Sequence, residues 1–224
     1  MSTIEKIITE DGSHTLFHSG IGEHYHSIHG AIQESVHVFI QQGFVATADR
    51  FHEVRLLEVG FGTGLNALLT LEIATRMGIH VFYQSFEPFP LSPDFVEDLN
   101  YTDNEQLKSF SADFQAMHHA NDGEVVRINE WFSFQRMEDK IQLGITDAYL
   151  FNLIYFDAFS PVVAPELWQP EIFTLMRQHM VEKGILVTYC ARGAVRRALQ
   201  AAGFRVERLP GPPGKREMLR ANAI

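Results

Sequence analysis

The stretch LLEVGFGTGLN, Leu56 to Asn66, places an acid, Glu58, two residues ahead of three glycines at alternate positions, Gly60, Gly62 and Gly64. Glycine adopts dihedrals that a Cβ forbids and lets a ligand approach the backbone closely. The run therefore reads as the floor of a binding loop. The usual dinucleotide loop is G-x-G-x-x-G, with a pyrophosphate seated at the next helix N-terminus. Here the spacing is G-x-G-x-G, and a carboxylate this close repels a pyrophosphate and favours a cationic ligand. Two further acids close apolar runs: Glu87 ends HVFYQSFE, 23 residues beyond Gly64, and Asp157 ends the acid-terminated run in NLIYFDAF. A carboxylate at such a strand end is placed to orient an amine and take up charge as the amine loses its proton.

These residues need a scaffold that brings strand ends together, and the rest of the chain supplies one. From Val54 onward strand and helix patterns alternate. RLLEVG, HVFYQSFE, EVVRI, NLIYFDAF and GILVTYC read as strands. NALLTLEIATRMG, SPDFVEDLN, ELWQPEIFTLMRQHMV and AVRRALQAAG read as helices, the last stopped by glycine. FRVERL and KREMLRA close the chain as two strands around a Pro/Gly-rich turn. This alternation predicts an α/β fold with a mostly parallel sheet covered on both faces and one antiparallel edge. Ligands then bind at the carboxyl ends of the strands where the winding reverses. Upstream, EKIITEDGSHTLFHS reads as a β-hairpin around Asp11-Gly12, within an N-terminal extension of residues 1–30. IHGAIQESVHVFIQQGF follows with helical spacing. No repeat or flexible linker divides the chain, so residues 1–224 are expected to form one domain.

Composition narrows the class. With 46% apolar and 21% charged residues a sizeable core is expected. A single cysteine, Cys190, excludes an internal disulfide framework. No signal-like N-terminus and no run of roughly 18 apolar residues is present, so a cytoplasmic protein with no membrane partner is expected. The net charge of −10 is uneven: residues 184–224 carry eight Lys/Arg against two Glu, leaving −16 before them. That basic segment is either a solvated edge or a landing site for an anionic partner.

Glu58 with Gly60, Gly62 and Gly64 is similar to the first motif of the class I S-adenosylmethionine methyltransferases. Their ligand carries an ammonium and a sulfonium and no phosphate. The resemblance implies their Rossmann-like fold, with a seven-stranded sheet finished by an antiparallel hairpin, and makes Glu87 the acceptor for the ribose hydroxyls. More closely, DAFSP with PELW, GILVTYC, AVRRALQAAGF and KREMLRA resemble, in order, segments of the MnmC methyltransferase family of tRNA 5-methylaminomethyl-2-thiouridine biosynthesis. The glycine loop follows the same family's G-x-G-T-G-L-N form, ending at Asn66. Glu34 lies in a segment resembling the one that covers the methionine moiety. The likeness spans roughly residues 14–221.

What this resemblance implies is a methyl transfer from S-adenosyl-L-methionine to the aminomethyl amine of the tRNA wobble uridine. Asp157 would be the catalytic carboxylate, shared with cofactor binding. Phe159, Ser160, Pro161 and Trp168 would meet the substrate, and Arg192, Arg196, Arg197, Lys215 and Arg216 would meet phosphates of the anticodon loop. The family often carries a C-terminal FAD-dependent domain; the chain ends at Ile224, so the stand-alone form without FAD is expected. An acid near the adenine should follow the third strand, but RINEWFSF, the segment expected to hold it, has no clear match. His24, His26, His29 and His37 lie close in sequence without cysteine or a clear carboxylate partner, and read as packing or loop histidines rather than metal ligands. Other readings stay open at this point. One is a methyltransferase acting on a small-molecule or protein amine, another a non-catalytic cofactor-binding module. Glu58 argues against a dinucleotide oxidoreductase.

Overall fold

A computed structural model describes residues 4–146 and 148–224, so the first three residues of the predicted N-terminal extension lie outside it. The chain begins with β1 (Ile4–Ile8), β2 (His14–His18) and β3 (Glu23–His24), a separate three-stranded antiparallel sheet. The expected hairpin is there, with one more short strand. Its turn is tied down by Asp11, which accepts the Ser13 amide at 3.0 Å and the Gln33 amide at 2.9 Å. The second bond fastens the sheet to the start of the next helix. That helix runs as α1 (Ala31–Ser35), a π-helical stretch (Val36–Val45) and α2 (Ala46–Ala48). Ile28, with its apolar position in the helical pattern, stays outside it and is exposed. A Cβ on Gly43 would meet Tyr155 Cε1 and Val187 Cγ2 at 3.0 Å each. Glycine here lets the helix approach the main sheet, which outweighs its cost of about 1 kcal/mol in a helix interior.

The main sheet is built from β4 (Glu53–Val59), α3 (Leu65–Met77), β5 (His80–Phe86), α4 (Pro93–Glu97), α5 (Ser111–His118), β6 (Val125–Arg127), β7 (Phe132–Met137), α6 (Ile141–Gly144), β8 (Phe151–Phe156), α7 (Pro170–Gln178), β9 (Met180–Thr188), α8 (Gly193–Ala201), β10 (Phe204–Pro210) and β11 (Glu217–Ala223). Its order is β10-β11-β9-β8-β4-β5-β7-β6. Strands β9, β8, β4, β5 and β7 are parallel, while β11, β10 and β6 run antiparallel to their neighbours. The α/β reading with a closing antiparallel hairpin holds, but the sheet has eight strands rather than seven. The strand predicted in EVVRI is only the edge strand β6. The parallel neighbour of β5 is β7, FSFQRM, whose alternating pattern buries Phe132, Phe134 and Arg136. Arg136 disguises the strand as polar. Buried, it donates to the carbonyls of His118 and Ala120 at 2.7 and 3.0 Å and to Glu138 at 2.7 Å.

The long helix predicted over ELWQPEIFTLMRQHMV is likewise broken. A 3-10 turn, Pro165–Trp168, is followed by Gln169 in extended conformation and only then by α7. The Pro170 ring excludes the helical region for the residue before it.

Side-chain parity sets the layers. Val54, Leu56 and Glu58 of β4, Val81, Tyr83 and Ser85 of β5, and Leu153 and Tyr155 of β8 point to the face covered by α3 and the π-helical stretch. Leu57, Val59, Ile154 and Phe156 point to the other face, under α7 and α8 with Phe173, Met176 and Leu199. Both faces are dry, at roughly 1.5–3 kcal/mol for each fully buried large apolar side chain. Residues 58, 85 and 155 stand in one lateral row. The chain winds outward from β4 through β5 to β7, then crosses back to β8 on the other side of β4. The reversal therefore falls between β4 and β8. No helix among the described residues is long and apolar enough to cross a membrane.

Candidate active site

At that reversal the parallel strands end together, and a crevice of about 910 Å³ opens above them. Gly60, Glu87, Asp139 and Asp157 line it, each within two residues of a strand end. The glycine loop forms its floor. Gly60, Gly62 and Gly64 have φ of 93°, 52° and 74°. A Cβ on Gly60 would meet the Asp157 carbonyl oxygen at 2.7 Å, and one on Gly64 would meet His118 Nε2 at 2.6 Å. The loop is thus held open by missing side chains, as the spacing predicts.

The acids meet as a set. Glu58 is fully buried and accepts Ser85 Oγ at 2.8 Å and Asn66 Nδ2 at 3.1 Å. The same Asn66 nitrogen donates to Asp157 Oδ2 at 2.8 Å. One amide therefore bridges two carboxylates brought by different strands. Burial first, then the nearby Asp157 charge, push Glu58 up to about 8. Burial and the Glu34 charge push Asp157 up to about 7, although its carboxylate keeps an edge on the crevice. Glu87 accepts the amides of Gly62 and Phe89, both at 3.0 Å, and burial raises its pKa. Glu34, also buried, accepts the Ser27 amide at 2.8 Å and pairs with Lys215.

The N-terminal sheet covers this set. Tyr25 stands against Gly62, 3.1 Å from where its Cβ would lie, and packs edge-on against Phe159 at 5.1 Å. Burial, then the Glu87 charge, raise Tyr25 to about 12. Glu23 accepts the Ser160 amide at 3.0 Å and the Ser160 hydroxyl. This bond ties the sheet to the loop after β8. Sequence reasoning gave Glu23 no role, since a lone acid in an irregular segment carries no local signal. His26 sits beneath, its Nε2 2.7 Å from Thr63 Oγ1, and His118 Nε2 lies 3.2 Å from the Thr63 carbonyl oxygen. Burial lowers these histidines to about 4 and about 3. Their partner is the glycine loop, and no group of three or more His, Cys, Asp or Glu among the described residues is placed to hold a metal.

The predicted substrate residues divide. Phe159, Ser160 and Lys215 line the crevice. Lys215 is turned inward, its Nζ 4.0 Å from the centre of the Tyr189 ring and paired with Glu34. Pro161, Trp168, Arg192 and Arg197 instead line a second groove of about 510 Å³ beside the 160s loop. Trp168 is buried, donating its indole N–H to the Phe159 carbonyl at 2.8 Å. Its ring edge forms groove wall rather than a free stacking face. Arg192 and Arg197 are exposed, Arg196 is half-buried, and Arg216 is exposed just before β11. An acid does follow the third parallel strand: β7 leads into Glu138 and Asp139, four and five residues beyond RINEWFSF.

Comparison with known proteins agrees with this geometry. A family model described as S-adenosyl-L-methionine-dependent methyltransferase matches residues 104–224. The tRNA 5-methylaminomethyl-2-thiouridine biosynthesis bifunctional protein MnmC of Idiomarina loihiensis is 32% identical, over 87% of this chain and 34% of its own. The protein of the same name from Azoarcus sp. is 32% identical, over 96% of this chain and 35% of its own. The chain thus spans about a third of the length of the curated relatives it matches. The crystal structure of MNMC2 from Aquifex aeolicus superposes with a TM-score of 0.83 at 27% identity, covering 100% of this chain and 71% of that one.

The buried acids and histidines set the pH response of the ligand-free protein. The lowered His26 and His118 cost stability as pH falls below the ordinary histidine value of about 6.5, because only the unfolded chain takes up the protons there. The raised Glu58 and Asp157 act oppositely: their stabilising contribution is lost as pH rises through about 7 and 8. Above pH ~6.5 the acids act alone. Thermal unfolding of the ligand-free protein should therefore show Tm falling from pH 6.5 to about 8.5, and less steeply in Glu58→Gln. A flat or rising Tm over this window would contradict the assigned ionisation.

Proposed function

Because this chain belongs to the S-adenosyl-L-methionine-dependent methyltransferase family, we propose that it methylates the primary amine of the aminomethyl group on the wobble uridine of tRNA. The acceptor is taken from the relatives named for tRNA 5-methylaminomethyl-2-thiouridine biosynthesis. The observation that carries the reading is the Asn66 amide bridging Glu58 and Asp157 at the reversal of strand order. It puts a carboxylate of near-neutral pKa on the open side of a cofactor-sized crevice.

The residues fit the cofactor. Three glycines leave backbone where side chains would collide, and the carboxylates beside them match an ammonium and a sulfonium rather than phosphates. When bound, S-adenosylmethionine supplies a methyl group on a positively charged sulfur. Glu87, whose oxygens are fixed by two backbone amides, would hold the ribose hydroxyls. Asp139, with Phe86 and Ile141 lining the same side, would face the adenine. Glu34, Glu58 and Asn66 would serve the methionine end, Glu58 by its charge.

Asp157 would accept a hydrogen bond from the acceptor amine, hold it about 3 Å from the methyl carbon, and take the proton that the ammonium must lose. Burial supports this role, since a base titrating at about 7 is matched to neutral pH. Phe159 and Ser160, braced by Tyr25 and Glu23, would shape the acceptor's path. Lys215, engaged by Glu34, would act within the crevice rather than on phosphate. The exposed Arg192, Arg197 and Arg216, with the half-buried Arg196, would position the anticodon loop. We read the described residues as one catalytic domain working in the cytoplasm, where its tRNA substrate is found.

The test uses tRNA carrying the bare aminomethyl group, incubated with the protein and S-adenosylmethionine, digested, and followed by nucleoside mass. A gain of one methyl is expected, reduced about 10²-fold or more in rate by Asp157→Asn. No gain on tRNA from a protein that binds S-adenosylhomocysteine would reject the acceptor and direct the search to small amines. Charge reversal at Arg192 and Arg197 should weaken tRNA binding at least about tenfold and flatten its salt dependence. Cofactor affinity should remain, and equal loss of both would refute the phosphate role.

A further inference from the structure

Among the described residues, Phe89 is the most exposed large apolar side chain, at 78%. It sits in EPFPLSP, directly after the acid that closes β5, and lines the crevice mouth. The backbone that carries the ring is held. The Phe89 amide donates to Glu87 Oε1 at 3.0 Å, and Pro88 and Pro90 restrict the backbone on both sides. Restricting the backbone here removes part of the ordering cost of a contact before the partner arrives.

The opposite rim is the loop after β8, where Val162 is 70% exposed. Strands β5 and β8 flank β4, so the ends from which the two rims rise are about 10 Å apart. Behind the Val162 rim lies the groove lined by Pro161, Arg192 and Arg197, which gives a strand's phosphates a cationic track up to the crevice. The side assigned above to the adenine is built further in, by Phe86, Asp139 and Ile141, leaving the Phe89 ring outside it.

We infer that Phe89 is a substrate-binding residue whose ring stacks on an unpaired nucleobase of the RNA, holding the strand while the reacting uridine enters the crevice. The inference rests on the tRNA reading and deepens it. Aromatic faces are tolerant stacking platforms for single-stranded bases, because every base has a π-face. Phe89 therefore contributes grip without sequence choice, while phosphates are held by the arginines.

The test measures binding of a fluorescent anticodon stem-loop bearing 5-aminomethyluridine, with S-adenosylhomocysteine present, to the full chain and to Phe89→Ala and Phe89→Trp. S-adenosylhomocysteine affinity is measured alongside by calorimetry. Phe89→Ala should bind the stem-loop about tenfold more weakly, and Phe89→Trp within about twofold of the parent, with S-adenosylhomocysteine affinity unchanged in both. Unaltered stem-loop binding by Phe89→Ala would overturn this inference alone. A parallel loss of S-adenosylhomocysteine affinity would assign the ring to the cofactor's adenine instead. A parent protein that binds S-adenosylhomocysteine but not the stem-loop would overturn both this inference and the tRNA reading.

Discussion

Two carboxylates from different strands, Glu58 and Asp157, share one amide nitrogen, the first fully buried and the second at the edge of the crevice. Burial raises both, the Asp157 charge adding to it at Glu58 and the Glu34 charge at Asp157, which leaves a site that gains by receiving a positive charge. The surroundings preserve that condition. Ser85 donates to Glu58 from the next strand, at the register position directly opposite. Gly60 lets the backbone after Glu58 pass against Asp157, where a Cβ would collide. The π-helical stretch presses on the sheet through Gly43, while Glu34 at the end of α1 adds another acid to the pocket. The N-terminal sheet closes the side that solvent would otherwise flood, fastened by Glu23 to Ser160 and by Asp11 to the start of α1.

Charge is sorted by depth. Acids occupy the crevice interior, and Lys215, turned into them, is neutralised by Glu34 and lies on the Tyr189 face. The exposed Arg192 and Arg197 stand outside, along the neighbouring groove. A cationic ligand and a polyanionic one would thus meet complementary potentials at different places, although the protein as a whole is acidic.

Much of this arrangement was legible in the sequence because it is local. An acid that ends an apolar run declares a strand end, and Glu58, Glu87 and Asp157 all lie where parallel strands finish. Three glycines at alternate positions declare a loop without side chains. What was hidden depends on distant partners. The polar look of FSFQRM concealed β7, because the burial of Arg136 depends on carbonyls at the end of α5 and just beyond it. With that strand misplaced, the acid after it was sought in RINEWFSF rather than at Asp139. Glu23 and Ser160 are 137 residues apart, and no spacing rule links them. Trp168 has no local signal for its partner, the distant Phe159 carbonyl that its indole N–H meets. Phe89 drew no notice in the sequence because a single exposed phenylalanine is defined by the surface it stands on.

A crevice that is a cation site held partly protonated must give up that proton when its ligand arrives. Calorimetry of S-adenosylhomocysteine binding at pH 7, repeated in buffers of different ionisation enthalpy, measures this. Release of about one proton per ligand is expected, fading above about pH 9 and diminished in Glu58→Gln. Binding heats independent of buffer, or proton uptake, would contradict it.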